Sequence, residues 1–138
     1  LATVLQSLGD YAGAKDLLEK AVHSDEINFG ENHPNTATRY SNLALVLQDL
    51  NDYIGAKDLL EKVVIINESS LGANHPTTAK SYSNLATVLQ NLGDYEAAKT
   101  LFKKAMFIDE ANFSENNPIT AGRYFKLAAL YVTLRLLH

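Results

Sequence analysis

Cysteine is absent from the chain, and no run of apolar residues approaches the roughly 18 that a membrane-spanning helix needs. The absence of cysteine excludes disulfides and thiolate metal ligands and agrees with a reducing compartment. The N-terminus shows neither a basic segment nor a signal-like apolar stretch. We therefore expect a soluble, cytoplasmic protein, with no metal ion and no other cofactor.

Positive charge is also scarce. The 12 Lys and Arg residues are outnumbered by 16 Asp and Glu, which leaves a net charge of −4. The basic residues are scattered apart from the pair Lys103-Lys104, so there is no electropositive stripe to neutralise phosphates, and we expect neither a nucleic acid nor a membrane as partner. The 46% of hydrophobic residues is enough for a continuous core and argues against a disordered chain.

What the chain does contain is an internal repeat. A shift of 42 residues aligns residues 1–42 with residues 43–84 at 27 identical positions, far above chance. Further copies follow to the end of the sequence. The aligned positions are Tyr11, Tyr53 and Tyr95, then Ala14, Ala56 and Ala98, then Pro34, Pro76 and Pro118, and finally Tyr40, Tyr82 and Tyr124.

The first half of each period has the pattern of an amphipathic helix, which we call helix A and place at about residues 36–50. Its start is predicted at His33-Pro34, because proline suits the first helical position. Its end is predicted at Gly9-Asp10, Asn51-Asp52 or Gly93-Asp94, where a residue that tolerates positive φ precedes a helix-capping Asp. Residues of one face recur at helical spacing, namely Tyr40, Leu43, Ala44, Leu47 and Leu50.

The second half predicts helix B, from about Tyr53 to Leu71, with an apolar stripe wide enough to contact two neighbouring helices. Ala44 and Ala56 are small where helices A and B would cross, so a larger residue at either position would separate the two axes. Gly30 and Gly72 are predicted to end helix B before the polar loops to the next repeat.

This pattern resembles the tetratricopeptide repeat, in the 42-residue form of kinesin light chains. The resemblance covers the whole chain and rests on the segments Tyr40-Ser41-Asn42-Leu43-Ala44, Gly93-Asp94-Tyr95, Ala56-Lys57, and the His-Pro-x-Thr-Ala motif of residues 33–37 and 75–79. It implies an all-α, right-handed superhelical solenoid of antiparallel helix-turn-helix repeats, about three of them plus partial terminal ones. We expect one domain, 1–138, with repeats at about 1–35, 36–77 and 78–119 and a terminal helix at 120–137.

Both ends of the chain are expected to be open. Leu1 aligns with Leu43 in mid-helix, which suggests a piece cut from a longer protein. Arg135-Leu136 stands where Gly-Asp is expected, and the apolar terminal helix has no helix B to cover it. These ends either bury each other by self-association or were covered by further repeats. Alternatively, the terminal helix packs on helix B of residues 95–113 and leaves apolar surface exposed.

The resemblance implies that the A helices line a concave groove that binds a peptide or a partner protein. The residues left to face that groove are mostly amides and hydroxyls, which suit the backbone of an extended peptide. By resemblance, Asn42 and Asn84 are the strongest candidates for backbone contacts. The alternative is a merely solvated face. The full set is Thr38, Ser41, Asn42, Leu45, Gln48 and Asp49 in one repeat, Lys80, Ser83, Asn84, Thr87, Gln90 and Asn91 in the next, and Phe125 and Lys126 in the last.

Three of these positions add specific chemistry. Lys80 offers a charge-assisted bond to a carboxylate, and Lys126 aligns with Asn42 and Asn84. Phe125 replaces a serine and either anchors an apolar ligand side chain or helps to close the last helix. A carboxylate clamp of the chaperone-binding kind would need a further asparagine where Leu45 and Thr87 stand.

Catalysis is not predicted. His33 and His75 lie two helix spacings apart, roughly 16–20 Å, so they cannot share a metal ion and are better explained as helix-start residues. No phosphate-binding loop, nucleophile elbow or dinucleotide motif is present. We predict a non-enzymatic interaction scaffold that binds a peptide segment. The alternative is a structural repeat block that associates end to end without a groove ligand.

Overall fold

A computed structural model describes residues 10–114 and 116–137. Over these ranges the chain is helical and contains no strand, which confirms the all-α fold. The partial helix A expected before Gly9 lies outside the described residues. The helices are α1 (Tyr11–Phe29), α2 (Pro34–Asp49), α3 (Tyr53–Leu71), α4 (Pro76–Asn91), α5 (Tyr95–Asn112) and α6 (Pro118–Leu137).

The chain divides into two compact units, Leu1–Ser70 and Leu71–His138, and each is described by itself. The expectation of a single domain therefore stays a prediction. The helix boundaries agree with the sequence pattern. Helix B was predicted at Tyr53 to Leu71 and is α3, whereas α2 begins at Pro34 rather than at residue 36 because the proline itself takes the first helical position.

In the first unit, α1 packs against α2. The hydroxyl of Tyr40 on α2 donates a hydrogen bond to Glu26 Oε2 on α1, at 2.6 Å. On the other side of α2, the ammonium of Lys62 on α3 lies 5.4 Å from the centre of the Tyr40 ring. Tyr40 is fully buried, so one aromatic side chain links the three helices of this unit.

The second unit repeats these contacts. Its helix α5 packs against both α4 and α6. Lys104 on α5 lies 5.6 Å from the centre of the Tyr82 ring on α4, and the Tyr124 hydroxyl on α6 donates to Glu110 on α5 at 2.9 Å. Ala86 and Ala98, at the places of Ala44 and Ala56, are fully buried, as close packing of α4 on α5 requires.

The turn from helix A to helix B is the one that the sequence predicts. Asn51 and Gly93 occupy the same position and both have positive φ, 64° and 86°. In each turn the N–H of the following Asp bonds back to a helix carbonyl five residues earlier, Leu47 for Asp52 and Leu89 for Asp94. This is the Schellman arrangement, and it ends the helix without leaving its last carbonyls unpaired.

The aspartate of each turn then begins the next helix. Asp10 and Asp52 each accept a hydrogen bond from the N–H three residues on, Gly13 at 2.9 Å and Gly55 at 3.0 Å. Asp94 accepts one from Ala97 at 3.3 Å. The capping role predicted for these aspartates is confirmed.

The first two junctions between repeats depend on a glycine and a threonine. Gly30 and Gly72 end α1 and α3 with φ of 89° and 92°, a conformation that few other residues adopt. The hydroxyl of Thr36 donates to the Gly30 carbonyl at 2.7 Å, and that of Thr78 donates to the Gly72 carbonyl at 2.8 Å. Both threonines are fully buried, so each hydrogen bond ties the start of one helix to the end of the preceding one.

The terminal helix α6 differs from α2 and α4. It continues to Leu137 and passes through Arg135-Leu136, where the other A helices have already turned. Leu127 and Leu130 are buried, but several apolar side chains of α6 are exposed, namely Phe125, Tyr131, Val132, Leu136 and Leu137. Packing on α5 with apolar surface left exposed is one of the two arrangements expected for this helix. Self-association stays a prediction. No helix among residues 10–114 and 116–137 is long and apolar enough to cross a membrane.

His75 caps α4 with its side chain, and replacing it tests the helix-start role assigned to the loop histidines. Its Nδ1 accepts a hydrogen bond from the Thr77 N–H at 3.0 Å, and at the next junction Asn117 Oδ1 accepts from Ile119 N–H at 2.9 Å. We expect His75→Ala to lower the free energy of unfolding by about 1 kcal/mol. His75→Asn, which reproduces the third junction, should leave it unchanged. Urea unfolding followed by circular dichroism measures both, and equal loss in the two variants would contradict the capping role.

The buried alanines give a second prediction. Ala86 is fully buried, whereas Ala128, at the equivalent position of α6, is exposed. We expect Ala86→Leu to destabilise the fold by about 1–3 kcal/mol, because the added atoms force α4 away from α5. The matched control Ala128→Leu should change stability by less than about 0.5 kcal/mol. Thermal and urea unfolding measure the stability of both variants. An Ala86→Leu variant as stable as the wild type would show that α4 and α5 do not approach closely.

Candidate functional site

The predicted site residues of α2 lie in the first unit and are largely accessible. Thr38, Asn42 and Leu45 are exposed, while Ser41 and Gln48 are half-buried. Asp49, at the end of the helix, is exposed as well. The hydroxyl of Thr38 donates to the Pro34 carbonyl of its own helix at 3.2 Å, so its proton is already used. Asn42 remains the side chain of α2 best suited to a peptide backbone.

The predicted residues of α4 lie in the second unit and are more varied. Lys80 and Asn91 are exposed, and the side chains of Asn84, Thr87 and Gln90 are half-buried. Ser83 has 0% exposure, and no hydrogen-bond partner of its hydroxyl is found among the described residues. A ligand cannot reach Ser83 in this structure, which differs from the expectation that it faces an open groove.

On α6, Lys126 is exposed and Phe125 is 75% exposed. The sequence allowed Phe125 either to anchor a ligand or to close the last helix against its neighbours. An aromatic ring this exposed does not close the helix in the described structure. It stays available for an apolar contact.

A groove in the second unit brings three of the predicted residues together. It has a volume of about 600 Å³ and lies between α4 and α6, with the C-terminal part of α5 between them. Lys80 and Asn84 come from α4, and Lys126 comes from α6. We call this site the α4–α6 groove. Its other lining residues are Pro76, Thr77, Asp109, Phe113, Pro118, Ile119, Gly122 and Arg123.

An ion pair lies within the wall of this groove. Asp109 on α5 is 1% exposed, and Arg123 Nε on α6 is 3.2 Å from Asp109 Oδ2. The two groups are at ion-pair distance without the alignment of a hydrogen bond. Burial raises the pKa of the Asp109 carboxyl, and the charge of Arg123 opposes that rise. Asp109 therefore holds the guanidinium at the groove, at the expense of its own solvation.

The same two positions also carry a charged pair in the first unit. Arg39 Nε contacts Asp25 Oδ2 at 2.9 Å in the first unit, in a more exposed setting. In the middle repeat, the corresponding positions hold the neutral residues Asn67 and Ser81. Both charges are therefore absent from that repeat. Because a lone buried charge is strongly unfavourable, we expect both charges or neither at these positions.

The charge of the groove is positive. Lys80, Arg123 and Lys126 line it, and Asp109 is the carboxylate among its lining residues. Desolvation within the groove lowers the pKa of the Lys126 ammonium, and the nearby Arg123 guanidinium lowers it further. The second effect shows that Arg123 and Lys126 lie close enough to repel each other on the α6 side of the groove. An anion bound there would relieve the repulsion between them.

Sequence reasoning found part of this site and missed the rest. It selected Lys80, Asn84 and Lys126 but not Asp109 or Arg123. The signal for the missed pair is present in the sequence, because an acidic residue and an arginine recur with a separation of 14 residues at Asp25 and Arg39 and at Asp109 and Arg123. No group of three His, Asp or Glu in the described part of the chain is arranged to hold a metal ion.

A family model of the tetratricopeptide repeat matches residues 1–64, 40–111 and 77–135 of the sequence. The chain belongs to the tetratricopeptide repeat family. Its 42-residue period is that of the kinesin light chain-like repeats, and repeats of this family generally mediate protein–protein interaction. Comparison with curated protein sequences gives no significant match.

Several solved structures share the fold. A Podosopora anserina protein described as a putative kinesin light chain with nearly identical TPR-like repeats is 27% identical with a TM-score of 0.88, and a single-substitution variant of it is 25% identical with a TM-score of 0.89. BtubC (BKLC) from P. vanneervenii, at 22% identity and a TM-score of 0.85, shows the fold alone. Each match covers 94% of this chain, which spans 62%, 61% and 52% of the respective structures.

The buried pair of Asp109 and Arg123 gives a prediction in which a second substitution restores the stability that the first one removes. We expect Arg123→Ser alone to destabilise the fold by about 3–5 kcal/mol, because it leaves the Asp109 carboxylate buried without a counter-charge. Adding Asp109→Asn reproduces the neutral residues of the middle repeat and should restore most of the loss. Urea unfolding of the single and double variants measures the rescue.

The sign of the pH dependence distinguishes this explanation from simple loss of packing. Without Arg123, nothing opposes the burial that raises the pKa of Asp109, so the folded state binds a proton more readily than the unfolded chain does. The stability of Arg123→Ser relative to the double variant should therefore increase as the pH falls from 7 towards about 4, and decrease again as the pH rises through the folded pKa. A pH-independent difference would show that the loss is steric.

Proposed function

We propose that this tetratricopeptide chain binds a peptide segment of a partner protein, and that the α4–α6 groove of the second unit holds it. The observation that supports the proposal is the convergence of Lys80, Asn84 and Lys126 on one groove, although they come from two different helices. A merely solvated surface has no need to gather such residues in a concavity of about 600 Å³.

The lining suits an extended peptide. The amide of Asn84 both donates and accepts hydrogen bonds, so it matches a peptide C=O and N–H in the same place. Lys80 and Lys126 stand on opposite helices, where each can pair with a ligand carboxylate. Apolar groups complete the groove and favour an aliphatic or aromatic ligand side chain, namely Pro76, Phe113, Pro118 and Ile119.

The first unit offers a separate, weaker surface of the same chemistry. Asn42 is exposed on α2 at the position of Asn84, and Leu45 beside it is 50% exposed. No cation stands at the position of Lys80, which Thr38 occupies. We propose that Asn42 contacts the backbone of a peptide segment bound to the first unit.

The alternative function is end-to-end association of the repeat block without a groove ligand. The observation in its favour is the exposed apolar side of α6, where Tyr131 stands at the position of the buried Leu47 and Leu89. An exposed face of this kind is a common interaction surface. It does not account for the cations and the amide in the α4–α6 groove, so we rank peptide binding first.

Peptide selection tests the first proposal. Peptides selected by the wild-type chain from a random displayed library should bind the variant Lys80→Gln with Lys126→Gln about 10-fold or more weakly, since two partly exposed charge pairs contribute about 1.4 kcal/mol together. Asn84→Ala should also weaken binding. Raising the salt concentration should weaken the wild type more than the double variant. Fluorescence anisotropy measures each affinity.

The matched control is Lys15→Gln with Lys20→Gln, which removes the same charge from α1 in the other unit. This control should bind like the wild type, and circular dichroism should show equal helicity throughout. If selected peptides bind every variant equally well, the α4–α6 groove is not the site. A concentration-dependent dimer in light scattering, together with an absence of selectable peptides, would support end-to-end association instead.

A further inference from the structure

Gly122 is a glycine that the fold itself does not require. It lies inside α6 with an ordinary helical φ, and a Cβ added there would meet no atom within 4 Å. A glycine within a helix is less stable than alanine at the same position. The equivalent residues of the other A helices carry side chains, Thr38 on α2 and Lys80 on α4. Neither backbone conformation nor packing explains the glycine.

Gly122 leaves open space along one wall of the groove. Gly122 lines the α4–α6 groove directly before Arg123 and one helical turn before Lys126, and Lys80 stands on the facing helix. A glycine at a lining position lets a ligand group approach the helix closely. The space that it leaves open is thus bordered by the three cations of the groove.

The charge of this space indicates which group fills it. Three cations against the one carboxylate of Asp109 leave a formal charge of +2 among the lining residues. The first residues of two helices also line the groove, Pro76 and Thr77 of α4 and Pro118 and Ile119 of α6, and the helix dipole adds positive potential at such ends. A single carboxylate compensates half of this charge, whereas a phosphate ester carries about −1.5 to −2 near pH 7.

Arg123 is held ready for such a group. Its Nε contacts the buried Asp109. The guanidinium is therefore already fixed in position and loses little further freedom when it binds an anion. The planar guanidinium matches the oxygens of a phosphate, and two lysines nearby add charge.

We infer that the α4–α6 groove recognises a phosphorylated residue of the partner peptide, with the phosphate seated beside Gly122 between Lys80 and the Arg123 and Lys126 side chains. The inference rests on the proposed function and specifies its ligand. Gly122 acts as a specificity-determining residue, because a side chain there would occupy the space of the phosphate. Asp109 is a positioning residue for Arg123.

Four probes test the inference by anisotropy or competition with the full chain: a labelled pentapeptide with one phosphoserine between alanines, the same peptide with serine, a peptide with two glutamates, and inorganic phosphate. The phosphoserine peptide should bind at least about 10-fold more tightly than the other three, because only it combines a compact dianion with a peptide backbone. If the two-glutamate peptide binds equally well, the phosphate preference is overturned while peptide binding stands. If inorganic phosphate binds as tightly, recognition of a peptide is overturned.

The variant Gly122→Ala provides the sharper result, since stability and binding should move in opposite directions. It should raise the unfolding temperature, because alanine is the better helix former, and weaken the phosphoserine peptide by about 5-fold or more by filling the site. The control Thr100→Ala, exposed on α5 and not among the lining residues, should raise stability without changing affinity. Unchanged phosphopeptide affinity in Gly122→Ala would overturn the role of the glycine, and no measurable binding of the phosphopeptide to the wild type would overturn the inference altogether.

Discussion

The structure depends on the reversal of chain direction at the end of every helix. Asn51 and Gly93, both with positive φ, end α2 and α4, and the Asp that follows each accepts a hydrogen bond from an N–H in the first turn of the next helix. Gly30 and Gly72 end the B helices α1 and α3, and a buried threonine donates a hydrogen bond to the carbonyl of each glycine. These hydrogen bonds set the helix lengths, and the lengths decide which side chains of successive helices come face to face.

The α4–α6 groove follows from that geometry. Because α4 and α6 start with the same Pro signal and both pack on α5, residues one repeat apart reach the same groove from two sides. Asp109 of α5 holds Arg123 of α6 in place through their ion pair. Neutral residues stand at the same positions in the middle repeat, so the fold does not require this pair of charges. A charge pair kept at a cost to solvation and a helix glycine without a packing role both support the proposed binding site.

The part of the site that the sequence revealed was the part that follows from helical periodicity. Once Tyr40, Leu43, Ala44 and Leu47 are placed on the core face, the side of α2 and α4 that carries Asn42 and Asn84 is left over. Ser83 shows the limit of that reasoning, because it lies on the edge of the face and is fully buried by its surroundings. Phe125 at the equivalent position is 75% exposed, so the same place in the repeat has two different environments.

The sequence by itself determined the repeat length, the all-α fold, the helix boundaries within two residues, and the capping role of His75 and Asp94, because each of these depends on neighbours along the chain. Only the tertiary structure decided which residues share a groove. Asp109 and Arg123 come from different helices, and their contact depends on how α6 lies on α5. The open space at Gly122 was likewise invisible in the sequence, because it is set by the distance between α4 and α6 rather than by any local preference of the backbone.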